Sequence, residues 1–223
     1  LEVIQACLSG LDTFVLMPTG GGKSLCYQLP ALLFPYVTVV VSPLMSLMKD
    51  QVDALQANGI AAEFINSSQS REEIQDVIRR LRNQQLKLLY LAPERLLQPD
   101  FMSRLSEVGV SLFAIDEAHC ISQWGYDFRP SYLKIAELRK ELPEVPLLAL
   151  TASATERVQQ DIITQLGLEA PVLFKKSFAR ENIAYMVFET EDKLHRIQQI
   201  LTKNPEPSII YVRNRKACHD ISS

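Results

Sequence analysis

Thr13–Phe14–Val15–Leu16–Met17 runs straight into Pro18–Thr19–Gly20–Gly21–Gly22–Lys23–Ser24. An uncharged apolar run of this length predicts a buried strand, and the glycine-rich turn behind it predicts where that strand hands the chain to a helix. Consecutive glycines let the backbone curl until several N–H groups converge on one point. A helix starting at Ser24 adds its own unbonded N–H groups and the positive end of its dipole. Such a nest suits a polyphosphate: Lys23 reaches the outer phosphates and the Ser24 hydroxyl offers an oxygen to magnesium. The general pattern opens with Gly, where this chain has Met17. Thr19, Gly20, Gly21, Gly22, Lys23 and Ser24 are therefore the expected nucleotide-binding residues.

The same rhythm of apolar run, turn and amphipathic stretch recurs along the chain. Further strands are expected at Val37–Ser42, Ala61–Ile65, Leu86–Leu91, Leu112–Ile115 and Leu147–Leu150. Most are continuously apolar and do not alternate, the pattern of a parallel sheet buried on both faces. Helices are expected at Ser24–Leu33, where Pro30 should kink or end the helix, and at Leu44–Asn58, stopped by Gly59. Others fall at Ser70–Arg82, Tyr132–Leu142 and Glu156–Leu166. The fold class is α/β, a mostly parallel sheet flanked by helices in three layers. Pro171 to Ser177 reads as an exit from this first domain, placed at residues 1–174. A second, partial domain is expected over 175–223, with a strand at Ile183–Phe188, a helix at Asp192–Lys203 and a strand at Ser208–Val212. Some 45 residues with two strands do not readily close a core of their own.

Leu112–Phe113–Ala114–Ile115 ends in Asp116–Glu117–Ala118–His119. A carboxylate at the carboxyl end of a buried parallel strand faces the crevice where ligands bind. Asp116 is the expected magnesium ligand, with Ser24, and Glu117 the group that orients or deprotonates an attacking water. Two adjacent acids beside a polyanion make sense when a cation and a water lie between them.

The 223 residues are 47% hydrophobic and 22% charged, ordinary for a globular protein, which argues against disorder, collagen and a stapled miniprotein. No segment approaches roughly 18 apolar residues free of charge, which argues against a transmembrane helix. Lys and Arg number 23 against 26 Asp and Glu, for a net charge of −3. That balance disfavours an architectural nucleic-acid protein and leaves room for a motor that grips a backbone through a few donors. Cys7, Cys26, Cys120 and Cys218 form no CxxC pair and no zinc knuckle, so free thiols in a reducing compartment are expected. The start carries no apolar leader, which makes a cytoplasmic location the default. Residue 1 is Leu, as in a chain numbered from inside a longer protein.

Asp116–Glu117–Ala118–His119 reads DEAH, and Cys120–Ile121–Ser122–Gln123–Trp124–Gly125–Tyr126–Asp127–Phe128–Arg129–Pro130 resembles the aromatic-rich loop of RecQ-type DNA helicases. Thr19–Gln28 is similar to that family's first motif and Val41–Gln51 to its segment Ia. Ala92–Pro93–Glu94–Arg95–Leu96 and Leu150–Thr151–Ala152–Ser153–Ala154–Thr155 resemble further helicase blocks, the latter motif III. Ser208–Arg215 is like the opening of a second RecA-like domain. The resemblance runs through essentially the whole chain. It implies an enzyme that uses ATP and Mg2+ to separate DNA strands 3'-5' in recombination and repair, acting between two RecA-like domains on single strands and duplex junctions, in the nucleoid or nucleus.

It further implies that His119 couples the magnesium site to the aromatic-rich loop, that Gln123 senses the γ phosphate, and that Trp124, Phe128 and Arg129 engage DNA. Read from the residues alone, Trp124 and Phe128 either stack on bases or pin the loop. Ser42 and Lys49 are weaker candidates for a DNA backbone; Ser42 is equally a strand-end cap before Pro43. Arg95 donates to a phosphate or forms a surface ion pair. The family's adenine-reading Gln lies before Leu1, and its arginine finger and zinc-binding part beyond Ser223, so weak nucleotide binding, poor hydrolysis and no zinc site are expected of this stretch. The alternatives are an RNA helicase of the DEAH or DEAD kind and a nucleotide-binding scaffold without catalysis.

Overall fold

Val37–Val41 shows why the apolar runs become parallel strands. All five residues are buried, Val39 and Val41 against one layer of side chains and Val40 against the other. A strand covered on both faces has no use for polar alternation. The computed structural model describes residues 1–96, 98–177 and 183–222. The strands are β1 (Thr13–Leu16), β2 (Val37–Val41), β3 (Ala62–Ile65), β4 (Leu88–Leu91), β5 (Val110–Ile115), β6 (Leu147–Thr151) and β7 (Val172–Lys175). They form one seven-stranded sheet in the order β3-β4-β2-β5-β6-β1-β7. Every pairing is parallel, so every strand points its carboxyl end at one edge. Register is set by bulk: Val39 lies between Leu89 and Phe113, and Phe14 between Ala149 and Leu173.

Helices α1 (Glu2–Leu8), α2 (Leu25–Leu33) and α3 (Met45–Ala57) bury Val3, Tyr27, Met48 and Val52 on one face of the sheet. The other face is covered by α4 (Arg71–Arg82), the short α5 (Pro93–Leu96), α6 (Pro99–Val108), α7 (Pro130–Leu133), α8 (Glu137–Glu141) and α9 (Glu156–Leu166). Helix α4 starts on a capping box, Ser70 accepting from the Glu73 N–H and Glu73 from the Ser70 N–H. Helix α9 ends on Gly167, whose φ of 60° completes the left-handed cap. Among the described residues no helix is long and apolar enough to cross a membrane.

Some details depart from the sequence expectation. Helix α2 reaches Leu33, the end expected, but Pro30 does not terminate it: the Phe34 N–H bonds the Pro30 carbonyl. The stretch 132–142 is not one helix: a 3-10 turn at Lys134–Ala136 separates α7 from α8. Its buried residues Tyr132, Ile135 and Leu138 are spaced by three, which suits three residues per turn. Strand β7 pairs with β1 where only an exit was expected, because its alternately exposed side chains carry little apolar signal.

The chain divides into two units, Leu1–Phe178 and Ala179–Ser223. The second holds α10 (Lys193–Lys203), within the helix expected at Asp192–Lys203, and α11 (Arg215–Ser222). The strands expected at Ile183–Phe188 and Ser208–Val212 do not form. A strand exists only as part of a ladder, and neither segment has a ladder partner among the described residues.

Candidate nucleotide site and its coupling loop

The loops after β1, β6 and β5 are neighbours along the carboxyl edge of the sheet because β6 lies between the other two strands. Met17 N–H donates to Thr151 O at 3.2 Å, so the loops after β1 and β6 leave the sheet together, while Asp116 N–H donates to Val41 O of β2 at 2.9 Å and β5 leaves earlier, Ile115 pairing with Ala149. Within the first loop Gly20 and Gly22 have φ of 76° and 86°, a region that side-chain-bearing residues rarely occupy. Gly21 N–H bonds Pro18 O at 3.0 Å, closing the turn. Lys23 Nζ donates to Met17 O at 3.3 Å, which folds the ammonium back over the mouth of the loop. Ser24 precedes α2 directly. Thr19 and Gly20 are exposed at the tip.

Facing them, Asp116 Oδ1 accepts the Glu117 N–H at 2.9 Å, and Tyr132 Oη donates to Asp116 O at 3.0 Å. Burial, then the charge of Glu117, push the Asp116 carboxyl up to about 6, and the charges of Lys23 and His119 oppose them. Glu117 has the left-handed backbone of φ 47° and ψ 44°, uncommon for a residue with a side chain. That twist turns its carboxylate toward His119, whose neighbourhood holds it below the usual carboxylate range. The Lys23 charge lowers both carboxyls, so the cradle lies within electrostatic reach of the acids. The donors there are hydroxyl and carboxylate oxygens, which suit a hard cation, and a buried carboxyl raised by desolvation is a charge that a cation relieves. Ser24 and Asp116 thus fit magnesium.

His119 carries the connection onward. Its Nδ1 lies 3.0 Å from Thr151 Oγ1 and 3.2 Å from Glu117 Oε2. The Thr151 hydroxyl donates to Ser153 O at 3.2 Å, which leaves its oxygen to accept the Nδ1 proton. The Glu117 contact is poorly aligned, and Oε2 is buried without another hydrogen bond. Tyr126 stacks on the imidazole at 4.3 Å between ring centres. The aromatic-rich loop is therefore joined to Glu117 through His119. It cannot be redrawn freely: a Cβ on Gly125 would sit 2.5 Å from His119 O.

Trp124 is 59% exposed, and the Arg157 guanidinium lies 3.3 Å from its ring centre. One face of the indole is thus tied to α9, a contact with no signal in the local sequence because it is made by the fold. Arg129 donates to Asp127 Oδ2 through Nε and Nη2, at 3.2 and 3.0 Å, and through Nη1 to Pro43 O at 3.0 Å. This ties the loop to the segment after β2. Phe128 is half-buried and Gln123 exposed.

Ser42 is only 2% exposed and its hydroxyl has no hydrogen-bond partner, so it is not presented to a passing backbone. Lys49 is exposed on α3. Arg95 lies over the Phe101 ring at 5.2 Å and donates to Gln98 Oε1 at 2.8 Å; it makes no ion pair among the described residues.

This chain is 48% identical over 222 residues to the ATP-dependent DNA helicase RecQ of Haemophilus influenzae, covering 99% of this chain and 36% of that protein. The RecQ of Bacillus subtilis is 49% identical over 207 residues, 92% of this chain and 35% of the relative. The chain thus spans roughly a third of the length of the curated relatives it matches. Among solved structures, the Hef helicase domain of Pyrococcus furiosus superposes with a TM-score of 0.58 at 26% identity, over 78% of this chain and 36% of that one. The DUF1998 helicase MrfA superposes with a TM-score of 0.73 at 17% identity over 99% of this chain and 36% of that one, a likeness of fold alone. Residues 1–162 match the DEAD/DEAH box helicase model, more than half of the sequence, and the chain belongs to that family.

Proposed function

We propose that this chain is the ATP-binding motor portion of a RecQ-type DNA helicase, which couples ATP hydrolysis to 3'-5' movement on DNA and to strand separation in recombination and repair. The observation that carries the reading is that Lys23, after β1, lies within electrostatic reach of Asp116 and Glu117, after β5, with the aromatic-rich loop joined to Glu117 through His119. The N–H groups of residues 19–24 hold the β and γ phosphates, and Lys23 leaves Met17 O to join them. Ser24 and Asp116 would hold magnesium, whose chemistry there would be to neutralise charge on the phosphates. Glu117, ionised at neutral pH, orients the attacking water and accepts its proton as the bond from the γ phosphorus to the bridging oxygen breaks.

His119 and Thr151 link this event to the loop after β6, and Tyr126 links it to the loop that carries Gln123, Trp124, Phe128 and Arg129. Trp124 offers its second face to a base, and Lys49 and Arg95 follow β2 and β4, whose carboxyl ends lie at the same edge of the sheet. The second unit is the opening of a second RecA-like domain, with the domain change placed near residues 174–175, and the protein acts where DNA is stored.

Calorimetry with Mg-ATP tests the cradle: Lys23→Ala is expected to lose measurable affinity while keeping its circular dichroism. Unchanged affinity would remove Lys23 from its role. In the whole protein, single-stranded DNA should stimulate ATP hydrolysis more than RNA of equal length; equal or greater stimulation by RNA would turn the reading to an RNA helicase.

A further inference from the structure

Beside the acids, three side chains with metal-binding atoms converge outside the phosphate cradle. His119 Nε2 lies 3.8 Å from Cys120 Sγ, and Cys120 Sγ lies 3.8 Å from Asp127 Oδ2. All three ligand atoms fall within 4.8 Å of one another. We propose that His119 Nε2, Cys120 Sγ and Asp127 Oδ2 form a binding site for one divalent cation of the zinc class, separate from the magnesium position. Cysteine spacing alone hides such a site, because two of its three ligands are not cysteines and one of those, Asp127, lies seven residues beyond Cys120.

The geometry is close to that of a bound ion. Zinc bonds of about 2.3 Å to sulfur and about 2.0–2.1 Å to nitrogen and oxygen place tetrahedral ligands roughly 3.3–3.6 Å apart. The two separations to Cys120 Sγ need to shrink by only a few tenths of an ångström, and the third, within 4.8 Å, closes by up to about 1.5 Å as Asp127 swings inward. One nitrogen, one sulfur and one oxygen make a borderline-soft donor set, which magnesium does not favour.

The imidazole is also prepared. With Nδ1–H given to Thr151 Oγ1 and lying 3.2 Å from Glu117 Oε2, the lone pair of Nε2 faces Cys120. A carboxylate or hydroxyl behind a histidine is the usual outer partner that fixes the tautomer of a metal ligand. The two strands of the loop are already joined, since Arg129 N–H donates to Cys120 O at 2.9 Å. His119 and Cys120 are buried, whereas the Asp127 side chain is 45% exposed and leaves a route for the ion and for a water as fourth ligand.

Two features hold the affinity below that of a closed structural zinc site. Asp127 Oδ2 is already paired with Arg129, so the cation adds a second positive group to one carboxylate. Cys120 must give its proton to solvent as the sulfur–metal bond forms, and burial followed by the charge of Asp127 pushes that thiol up to about 12. Seating the ion would clamp His119 to Asp127 and slow ATP turnover. That consequence rests on the function proposed above, whereas binding itself does not.

The test is a spectroscopic titration of the chain with Co2+ in excess Mg2+, without nucleotide. A thiolate-to-cobalt charge-transfer band and intense four-coordinate visible bands should grow to one equivalent and be bleached by Zn2+. Cys120→Ser should remove the charge-transfer band. Asp127→Asn, with unchanged circular dichroism, should weaken binding at least about tenfold. Cys218→Ser, at an exposed thiol, should alter nothing. A missing charge-transfer band, a band that survives Cys120→Ser or disappears with Cys218→Ser, or full affinity in Asp127→Asn would overturn the site. Inhibition of ATP hydrolysis is read separately, so a failed clamp and a failed nucleotide site are distinguishable.

Discussion

Asp116 ends β5 with Oδ1 accepting the Glu117 N–H, yet burial and then the Glu117 charge raise its carboxyl from 3.8 to about 6. The unfolded chain releases this proton near the ordinary aspartate value of about 3.9. Between that pH and about 6 the folded protein binds the additional proton, so stability falls as pH rises through the window and stays reduced above it. Asp116→Asn keeps the oxygen that accepts the Glu117 N–H and removes the charge. It is expected to stabilise the nucleotide-free protein at pH 8 by about 1–3 kcal/mol, with the gain vanishing near pH 4. The same variant should lose magnesium-dependent nucleotide binding. Urea unfolding at the two pH values and calorimetry check both halves; no gain at pH 8 would mean that the carboxylate is not strained. The pairing of an acid with the cradle was legible in the sequence, since a strand ending in Asp-Glu is a local pattern. The left-handed Glu117 and the Thr151 hydroxyl behind His119 were not, because each depends on which strand lies next to β5.

At the scale of elements, the opposite edge of the sheet is held by Asp12. Its Oδ1 accepts the Leu147 N–H at 2.9 Å and its Oδ2 the Glu169 N–H at 3.0 Å, and it pairs with Arg139 just after α8 begins. One carboxylate thus fastens the starts of β1 and β6, the turn after α9, and α8. The Asp12 side chain is 7% exposed, so truncation leaves two N–H groups and a guanidinium poorly solvated. Asp12→Ala is expected to cost about 3 kcal/mol in urea unfolding, with Mg-ATP affinity unchanged below the transition. A loss under about 1 kcal/mol would show the ion pair to be surface decoration. Nothing in the sequence around Asp12 distinguishes it from a solvated acid.

The strands were legible for the opposite reason: β1, β2, β4 and β6 are buried along their whole length and β5 at every residue but Ser111, so composition alone marks them. Apolar composition misleads at 183–188 and 208–212, where no ladder receives the chain. Helix α6 was missed because its two deeply buried residues, Phe101 and Leu105, give too short a stripe to read.

For the molecule as a whole, both layers of core belong to the first unit. In the second, Val187 is 95% exposed, Tyr211 is 90% exposed, and α10 buries no residue. Brief digestion of the chain with trypsin should therefore cut first at sites such as Lys193 and Lys203 and leave the seven-stranded unit resistant. Equal protection of both units would reveal packing that the second unit lacks here.

The strand order has one more consequence. With β6 inserted between β1 and β5, the lysine-bearing turn and the acids stand two interstrand spacings apart, about 10 Å. A ligand ending in a single phosphate, seated on the near bank, stops short of the far one, whereas a longer chain of phosphates bridges the gap. At the nucleotide site proposed above the sheet would thus act as a gauge, its hydrogen-bond spacing between strands grading nucleotides by length before any side chain does.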